Sequence, residues 1–307
     1  MDIAILGTFV LDQIHLSDGS VVNSFGGLSY TVSIMSQLMS SHDRIFPISM
    51  IGYDAYDEFM SFLSSFHNVK TDGILPVKDS KHTRVNLFYT DAQNRYEILK
   101  NPLNTIDFNQ IAPYFDMDVF LINHITGFEL NRNTNSLICE NARGLIYMDF
   151  HSLTLGRDEN GKRYLRYPHD WQKWIRHVDV LQMNEDEALL LGQNQNIFEF
   201  GVRVIDCGVN IFNLTMGKKG SLVFYRKNEK IISKSISSFY KDLSLDVTGC
   251  GDAFAAGFII DYYNRRDPIL AAKTANRVAG FNSTISGIKN IHKLATMKIN
   301  GEIWKTS

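Results

Sequence analysis

Short apolar runs alternate with longer segments of helical periodicity along most of this chain. Seven runs are nearly continuous in apolar residues, and they span positions 3–6, 45–51, 118–122, 145–149, 179–183, 203–206 and 211–216. Strands that helices cover on both faces have this character, whereas half-exposed strands alternate between apolar and polar residues. The pattern therefore predicts an α/β fold with a central, mainly parallel sheet.

The residues at or just after the ends of these strands are candidates for a ligand site, because ligands bind beyond the carboxyl ends of parallel strands. They are small or polar, namely Gly7, Gly52, Asn123, Asp149, Asn184 and Gly217. His124 and His151 also follow strands. For each histidine, substrate binding and a purely structural role are both open.

Two segments break the βα pattern and predict β-hairpins. Residues 13–25 alternate around an Asp-Gly turn, and residues 83–99 alternate around "DAQN". Together they predict a small separate sheet of about four strands without helices of its own. Such a sheet has an apolar face that needs cover, from the ligand cleft or from a second subunit, so we expect a homodimer formed through the hairpins.

Composition points to a small-molecule partner. Lys and Arg total 31 against 33 Asp and Glu, a net charge of −2, which argues against a nucleic-acid partner. The apolar stretch "AFAAGFII" is far shorter than the roughly 20 residues of a membrane helix. Cys139, Cys207 and Cys250 lack metal-ligand spacing, and this favours a reducing compartment over a disulfide framework. With no basic region and long apolar segment at its start, the chain is expected to be cytoplasmic.

The stretch "DVTGCGDAFAAGF", residues 246–258, carries the strongest chemical signal. Glycines at 249 and 251 precede a helical run, so the backbone N–H groups of 249–252 can form an anion site at a helix N-terminus. Asp252 then lies in the first turn, where it can take a proton from a substrate hydroxyl. An ordinary glycine turn with Asp252 as a helix cap explains this stretch alone equally well.

Two further motifs have competing interpretations. In "NEDE", Asn184 and Glu187 can hold a hydrated Mg²⁺ near phosphates, but the same spacing is a capping box, which we favour for the motif alone. In "TMGKKGS", residues 215–221, two glycines after a strand suit a nucleotide phosphate chain. A hairpin turn into "SLVFY" explains these glycines equally well.

Taken in order along the chain, the motifs resemble the ribokinase family of carbohydrate kinases, also called the PfkB family. The segments that carry the resemblance are "GTFVLD", "FGGLSYTVSIMSQL", "MIGYDAYDEF", "LQMNEDEALLLG", "LTMGKKGS" and "DVTGCGDAFAAGF". They extend from residue 3 to about residue 290. The resemblance implies a ribokinase-like three-layer sandwich, with residues 1–307 forming a single kinase domain and the hairpins a small β-sheet lid.

The resemblance also implies roles for individual residues. Asp252 matches the catalytic base, with Gly249, Cys250 and Gly251 as its anion hole. The positions that match the nucleotide site are Asn184, Thr215, Gly217, Gly220 and Asn276, the last near the adenine. The positions that match the acceptor site are Asp12, Gly26, Gly27 and Thr31. Asn184 and Glu187 match the pair that organises Mg²⁺, and Asp246 and Thr248 match a loop that binds a monovalent cation such as K⁺ in some members.

Two departures from the family pattern bear on the site. Cys250 stands where the family usually has alanine; its amide is kept, and its thiol either packs beside the glycines, as we favour, or acts as a redox-sensitive group. Thr31 stands where ribokinase-like members carry asparagine, so the sequence does not fix which sugar is bound. The basic and aromatic segment 155–174 looks longer than usual, and we favour a solvated loop and helix there over a substrate determinant.

These observations predict an ATP-dependent, Mg²⁺-using kinase that phosphorylates a hydroxyl of a sugar or sugar-like molecule. One alternative is a nucleoside kinase of the same fold, in which Phe88 and Tyr89 stack on the base. Another is a catalytically silent sugar-binding protein, against which the presence of Asp252 argues.

Overall fold

The computed structural model describes residues 1–89, 95–193, 195–240, 243, 246–299 and 302–303. Its strands, in chain order, are β1 Asp2–Leu6, β2 Phe9–His15, β3 Val21–Gly27, β4 Arg44–Gly52, β5 Ile74–Val77, β6 Arg84–Tyr89, β7 Arg95–Lys100, β8 Val119–Asn123, β9 Leu145–Asp149, β10 Leu155–Arg157, β11 Arg163–Leu165, β12 Val180–Asn184, β13 Ile211–Thr215, β14 Ser221–Lys227, β15 Lys230–Ile236, β16 Lys298–Ile299 and β17 Glu302–Ile303. Its α-helices are α1 Leu28–Leu38, α2 Tyr56–Ser64, α3 Phe108–Ile111, α4 Arg132–Asn141, α5 Trp171–Trp174, α6 Glu185–Gly192, α7 Ile197–Asp206, α8 Cys250–Arg265 and α9 Pro268–Asn282.

A nine-stranded sheet forms the centre of the molecule, in the order β15-β14-β13-β12-β9-β8-β1-β4-β5. Its strands pair in parallel from β5 to β13, whereas β14 pairs antiparallel with β13 and β15 pairs antiparallel with β14. The carboxyl ends of the parallel strands therefore meet at one edge, which is where the polar residues that follow the apolar runs are brought together.

Both faces of the central sheet are buried. In β8, Val119 and Leu121 belong to one core, whereas Phe120 and Ile122 belong to a second core on the opposite face. The first core includes residues of α1, α8 and α9, and the second includes residues of α4, α6 and α7. This two-sided burial is why the strands read as continuous apolar runs, and it confirms the predicted three-layer α/β sandwich.

A separate four-stranded sheet has the order β3-β2-β6-β7 and is built from the two predicted hairpins. We call it the lid. The β2–β3 hairpin turns at the expected Asp-Gly pair, where Asp18 Oδ1 accepts a hydrogen bond from the Ser20 amide and Gly19 has a φ of 85°. Strands β6 and β7 pair antiparallel as predicted, while the "DAQN" turn between them lies outside the described residues.

One predicted strand is wrong, because residues 203–206 form the last turn of α7. Asn196 caps this helix through a hydrogen bond to the Phe198 amide, and Phe200 and Val204, four residues apart, are both fully buried on one face. The run "RVID" is too short to show the helical period of about 3.6 residues per turn, which is recognisable only over the whole of residues 197–206.

Within the described part of the chain, no helix combines the length and the apolar character needed to cross a membrane.

Candidate active site

A cleft of about 680 Å³ lies between the carboxyl edge of the central sheet and the lid. The lid contributes Val10, Asp12, Gly27, Val85, Leu87 and Glu97 to its walls. The central sheet and the helices that follow it contribute Tyr30, Asn123, Ile125, Asp149, His151, Gln182, Asn184, Glu185, Asp186, Glu187, Thr215, Met216, Gly217, Val247, Thr248, Gly249, Gly251 and Asp252. Most residues predicted from the sequence to form the site therefore line one cavity.

Asp252 lies in the first turn of α8, but its carboxylate is held by side chains from other elements. Thr31 Oγ1 and Asn123 Nδ2 both donate to Asp252 Oδ1, the latter over 3.0 Å. Asn123 also donates to Thr31 Oγ1 over 3.0 Å, which closes a triangle of hydrogen bonds. The N-cap of α8 is Gly249, and no side chain caps it. The cap interpretation therefore does not explain the contacts of Asp252, which are long-range.

Burial raises the pKa of Asp252 above its usual range, whereas the hydrogen bonds from Thr31 and Asn123 act in the opposite direction. The charge of His151 also lowers this pKa, but burial outweighs these interactions and the net shift is upward. A carboxylate with a raised pKa in a cleft is the arrangement that general-base catalysis needs.

A second polar cluster lies beside Asp252. Gln182 Nε2 donates to Asp149 Oδ2 over 3.0 Å and to the Gly251 carbonyl over 3.2 Å, and Gln182 Oε1 accepts from the buried Tyr147 hydroxyl over 2.5 Å. Burial, with the nearby carboxylates of Glu187 and Asp252, raises the pKa of Asp149 to about 8. This network ties the start of α8 to the central sheet.

His151 lines the cleft with half of its side chain exposed, and its Nδ1 lies 3.2 Å from Glu187 Oε1. Although burial opposes protonation, the hydrogen bond to Glu187 and the neighbouring aspartates raise the pKa of His151 to about 9. His124, by contrast, is fully buried beside Glu129 and Trp174 and does not line the cleft, which favours the structural role.

The glycines of "GCGD" form the turn into α8 as predicted. Gly249 has a φ of 73°, and a Cβ there would lie 2.6 Å from Tyr30 Cδ1, so both its conformation and its packing require glycine. The Cys250 amide donates to the Val247 carbonyl over 3.2 Å within this turn. Burial raises the pKa of the Cys250 thiol to about 11, which keeps it protonated and favours the packing role over a redox role.

A narrower pocket of about 160 Å³ continues from the cleft past Gly251. The two share Thr215, Gly217, Val247 and Gly251. The far end of the pocket is mainly apolar, with Phe239, Phe254 and Ala279 in its wall. Asn276, which also lines it, is buried and donates to Ser221 Oγ over 3.0 Å and to the Ile236 carbonyl over 3.2 Å.

The glycines of "TMGKKGS" lie in the turn that connects β13 to β14, which confirms the hairpin interpretation of this motif. Thr215 and Gly217 nevertheless line both cavities, and Gly220 lines the narrower pocket. The turn therefore also lies where a nucleotide loop is expected.

Asn184 and Glu187 form the capping box that the sequence allowed. Asn184 Oδ1 accepts from the Glu187 amide and Glu187 Oε2 accepts from the Asn184 amide, each over 2.9 Å, while Asn184 Nδ2 donates to Glu187 Oε1 over 2.6 Å. Both oxygens of Glu187 are thus already in hydrogen bonds. Across the described residues, no three His, Cys, Asp or Glu side chains are grouped to hold a metal ion. This donor set fits an Mg²⁺ held through water and phosphate rather than one bound directly.

Asp12 lies on β2 in the wall of the cleft, where it pairs with Ser24 of β3 and lies beside Gly26. A Cβ at Gly26 would lie 1.9 Å from Asp12 Oδ2, so the missing side chain at 26 makes room for this carboxylate. Gly27 has a φ of 56° at the start of α1. Thr31 is completely buried and bonds Asp252, and its predicted contact with the acceptor stays a prediction.

Asp246 and Thr248 form a tight turn next to the cleft. Asp246 Oδ1 accepts from the Thr248 amide over 2.9 Å, and Oδ2 accepts from the Gly287 amide over 3.2 Å. A carboxylate with backbone oxygens nearby is a donor set of the type that hard cations use, but the K⁺ site stays a prediction.

Phe88, which would stack on a base in the nucleoside-kinase alternative, lies on the face of the lid away from the cleft. It stacks between His15 and Tyr96, with ring centroids 4.3 and 4.9 Å away. Because strand residues alternate between faces, the residues that β6 presents to the cleft are Val85 and Leu87.

Sequence reasoning gave no role to Asn123, Asp149 or Gln182. Asn123 and Asp149 lie at the ends of strands, and this position in the sequence already made them candidates for a ligand site. Gln182 is a polar residue inside a buried apolar strand, and this alone was a signal, because buried amides need partners.

Comparisons with known proteins agree with this geometry. The model of the pfkB family carbohydrate kinases matches residues 2–292. An ATP-dependent 6-phosphofructokinase of Thermoanaerobacterium thermosaccharolyticum is 23% identical over 281 residues, covering 84% of this chain and 80% of its own length. A cytidine kinase of Thermococcus kodakarensis is 24% identical over 267 residues, covering 87% of this chain and 90% of its own.

Solved structures share the fold. Arabidopsis thaliana ribokinase, complexed with ribose and ATP, superposes with a TM-score of 0.73 at 15% identity, covering 95% of this chain and 97% of its own. A pyrophosphate-dependent kinase in the ribokinase family, complexed with a pyrophosphate analog and myo-inositol, has a TM-score of 0.75 at 19% identity, covering 93% and 96%.

The fold and the family match together define a phosphotransferase that acts on hydroxyl groups. The chain belongs to the pfkB family of carbohydrate kinases. Kinases in this family differ in their acceptors, as the names of the two relatives illustrate.

Proposed function

We propose that the protein transfers the γ-phosphoryl group of ATP to a hydroxyl of a sugar or sugar-like small molecule, with Asp252 as the general base. The observation that carries the proposal is the placement of Asp252 where the lid-side cleft meets the apolar pocket beyond Gly251. An acceptor on the lid side and a nucleotide on the other side would meet at this carboxylate.

The chemistry follows from that placement. Both side-chain hydrogen bonds of Asp252 reach Oδ1, and Oδ2 takes part in neither. Asp252 accepts the proton of the acceptor hydroxyl, whose oxygen forms a bond to the γ-phosphorus as the bond to the β–γ bridging oxygen breaks. The backbone amides of Gly249 and Gly251 stabilise the negative charge on the transferring group, whereas the Cys250 amide is bonded to the Val247 carbonyl, and ADP leaves.

Mg²⁺, held through water beside Asn184 and Glu187, would neutralise part of the negative charge of the phosphates. The apolar wall of the narrower pocket, with Phe239 and Phe254, favours a donor that carries a base over pyrophosphate. Asp12 would bind the hydroxyls of the acceptor.

The deciding experiment is a panel of sugars, polyols, sugar phosphates and nucleosides, incubated with Mg²⁺ and either ATP or pyrophosphate, with phosphoryl transfer measured directly. We expect turnover of at least one sugar-like acceptor with ATP. Turnover confined to nucleosides would establish the nucleoside kinase instead. Turnover with pyrophosphate alone would refute the proposed donor, and no turnover at all would favour the silent binding protein.

The pH dependence of turnover gives a further prediction. As the base must be unprotonated, kcat/KM should fall as the pH is lowered through the pKa of Asp252. The Thr31 hydroxyl stabilises the anion and so lowers this pKa. Thr31→Val should therefore move the acid limb of the kcat/KM profile to higher pH.

Thr274→Val is the matched control, because Thr274 Oγ1 donates to a different buried carboxylate, Asp261, over 2.6 Å and away from the cleft. Its profile should overlay that of the wild type. An acid limb that stays in place or moves to lower pH in Thr31→Val would contradict the assignment of Asp252.

The lid-mediated homodimer remains a prediction. Val21 and Val22 on β3 are nearly half exposed, as expected for a sheet that a second copy covers.

A further inference from the structure

We favoured a solvated loop and helix for residues 155–174, and the structure has a hairpin in place of the loop, followed by the helix α5. Strands β10 and β11 pair antiparallel over Leu155–Leu165, and we call this the strut hairpin. Its tip is a tight turn in which Asp158 Oδ1 accepts from the Asn160 and Lys162 amides over 2.9 and 2.8 Å. The turn is therefore held by its own side chain.

The tip of the strut hairpin is docked on the edge strand of the lid. The Leu99 amide donates to the Gly161 carbonyl over 2.8 Å, and Ile98 forms an antiparallel bridge with Lys162. The Lys162 ammonium also lies 5.4 Å from the centre of the Tyr96 ring. An unpaired strand edge is thereby covered, and β7 gains a partner outside the lid.

The strut hairpin is also bonded to the body of the protein, from the end of β11 that is next to the tip. Arg163, which pairs with Arg157, donates from Nη2 to the Thr126 carbonyl over 2.7 Å. The Arg166 amide donates to the Thr154 carbonyl over 2.7 Å and closes the base of the hairpin. Thr126 directly follows Ile125, which lines the cleft. The strut hairpin thus connects the segment after β8, which lines the cleft, to the edge strand β7 of the lid.

We propose that the strut hairpin is a positioning element that holds β7 over the acceptor half of the cleft and thereby places Glu97 in its wall. The proposal rests on the kinase function proposed above. Glu97 lies on β7 two residues before the docked Leu99, on the same face of the strand, so a shift of the edge strand displaces it directly. The strut hairpin would then control acceptor affinity without touching the reacting atoms.

Gly161 offers a test, because it has a φ of 86° and a Cβ there would lie 2.5 Å from the Leu99 carbonyl oxygen. Gly161→Ala should push the tip away from β7. Gly19→Ala is the matched control. Gly19 has a φ of 85° and lies in the β2–β3 hairpin of the lid, and a Cβ there would lie in open space. Both variants carry the same backbone strain, and only one presses on β7.

Two readouts separate positioning from a general loss of stability. In hydrogen exchange without substrates, residues 95–100 should exchange faster in Gly161→Ala than in Gly19→Ala. In steady-state kinetics, Gly161→Ala should raise the acceptor KM by about 10-fold while the ATP KM stays within about 2-fold of that of Gly19→Ala. Asp158→Ala should act in the same direction, and Asp158→Asn, which keeps the turn, should not.

Equal exchange of residues 95–100 in the two glycine variants would overturn the docking role. Faster exchange with an unchanged acceptor KM would overturn the positioning role. A wild-type protein without turnover on any acceptor would instead sink the proposed kinase function, and the exchange comparison would still decide whether the strut hairpin holds β7.

Discussion

Asp252→Asn should lower kcat by about 10²- to 10⁴-fold, which corresponds to roughly 3 to 5 kcal/mol of transition-state stabilisation. The amide keeps the shape of the carboxylate and can still meet Thr31 and Asn123, but it cannot accept a proton. The lost interaction thus belongs to the transition state, so the affinity for ATP should change little. The measurements are kcat, the dissociation constant for ATP and the melting temperature.

The melting temperature separates this prediction from a structural role. Since burial raises the pKa of Asp252, the folded state disfavours the charged form, and a neutral amide should leave the melting temperature unchanged or raise it. Asp261→Asn on the same helix is the control, because Asp261 is buried and bonded to Arg265 and Thr274 away from the cleft. It should lower the melting temperature and spare kcat. An Asp252→Asn variant that retains more than about a tenth of wild-type kcat would refute the general base.

The sequence predicts the architecture correctly wherever the structure of a segment depends on a few neighbouring residues. Continuous apolar runs such as that of β8 indicate burial on both faces, and the Asp18-Gly19 pair indicates a tight hairpin turn, because each follows from a few neighbouring residues. "RVID" shows the limit of this reasoning. Four residues cannot distinguish a strand from the last turn of a helix, and only the buried spacing from Phe200 to Val204 decides.

The sequence predicted where the candidate site lies in the fold better than it predicted which side chains contact each other there. Asp252 could be placed in the first turn of a helix from "GCGD", but its partners Thr31 and Asn123 are 221 and 129 residues away in the chain. The docking of Gly161 on Leu99 is also long-range, although over a shorter stretch of sequence. Contacts of this kind depend on how the layers assemble, and no local pattern encodes them.

The alternation of side chains across the lid explains why Phe88 does not meet the cleft. Phe88 and Leu87 are neighbours in sequence, so they point to opposite faces of β6, and Leu87 is the one that lines the cleft. The lid residues in the cleft wall consequently combine aliphatic side chains with Asp12 and Glu97.

Asp12→Ala should lower kcat/KM for the acceptor by about 10- to 100-fold. A hydrogen bond to a charged group contributes about 1.5–3 kcal/mol, and Asp12 is a lid carboxylate in the cleft wall beside Gly26. In the proposed function ATP occupies the narrower pocket, which Asp12 does not line, so the affinity for ATP should be unaffected. The measurements are the acceptor kcat/KM and the ATP dissociation constant.

Gly26→Ala should reproduce much of this loss without removing the carboxylate. Its Cβ would lie 1.9 Å from Asp12 Oδ2, so the Asp12 side chain must leave its place, while the backbone at 26 does not otherwise require glycine. Gly192→Ala is the control, because its Cβ would meet the Phe200 ring at an ordinary 3.7 Å, and its kinetics should match those of the wild type. If Asp12 binds the acceptor, the double variant should be no worse than Asp12→Ala alone, because the second change has no carboxylate left to displace. Fully additive losses would show that Gly26 acts independently of Asp12 and would contradict this account of the acceptor site.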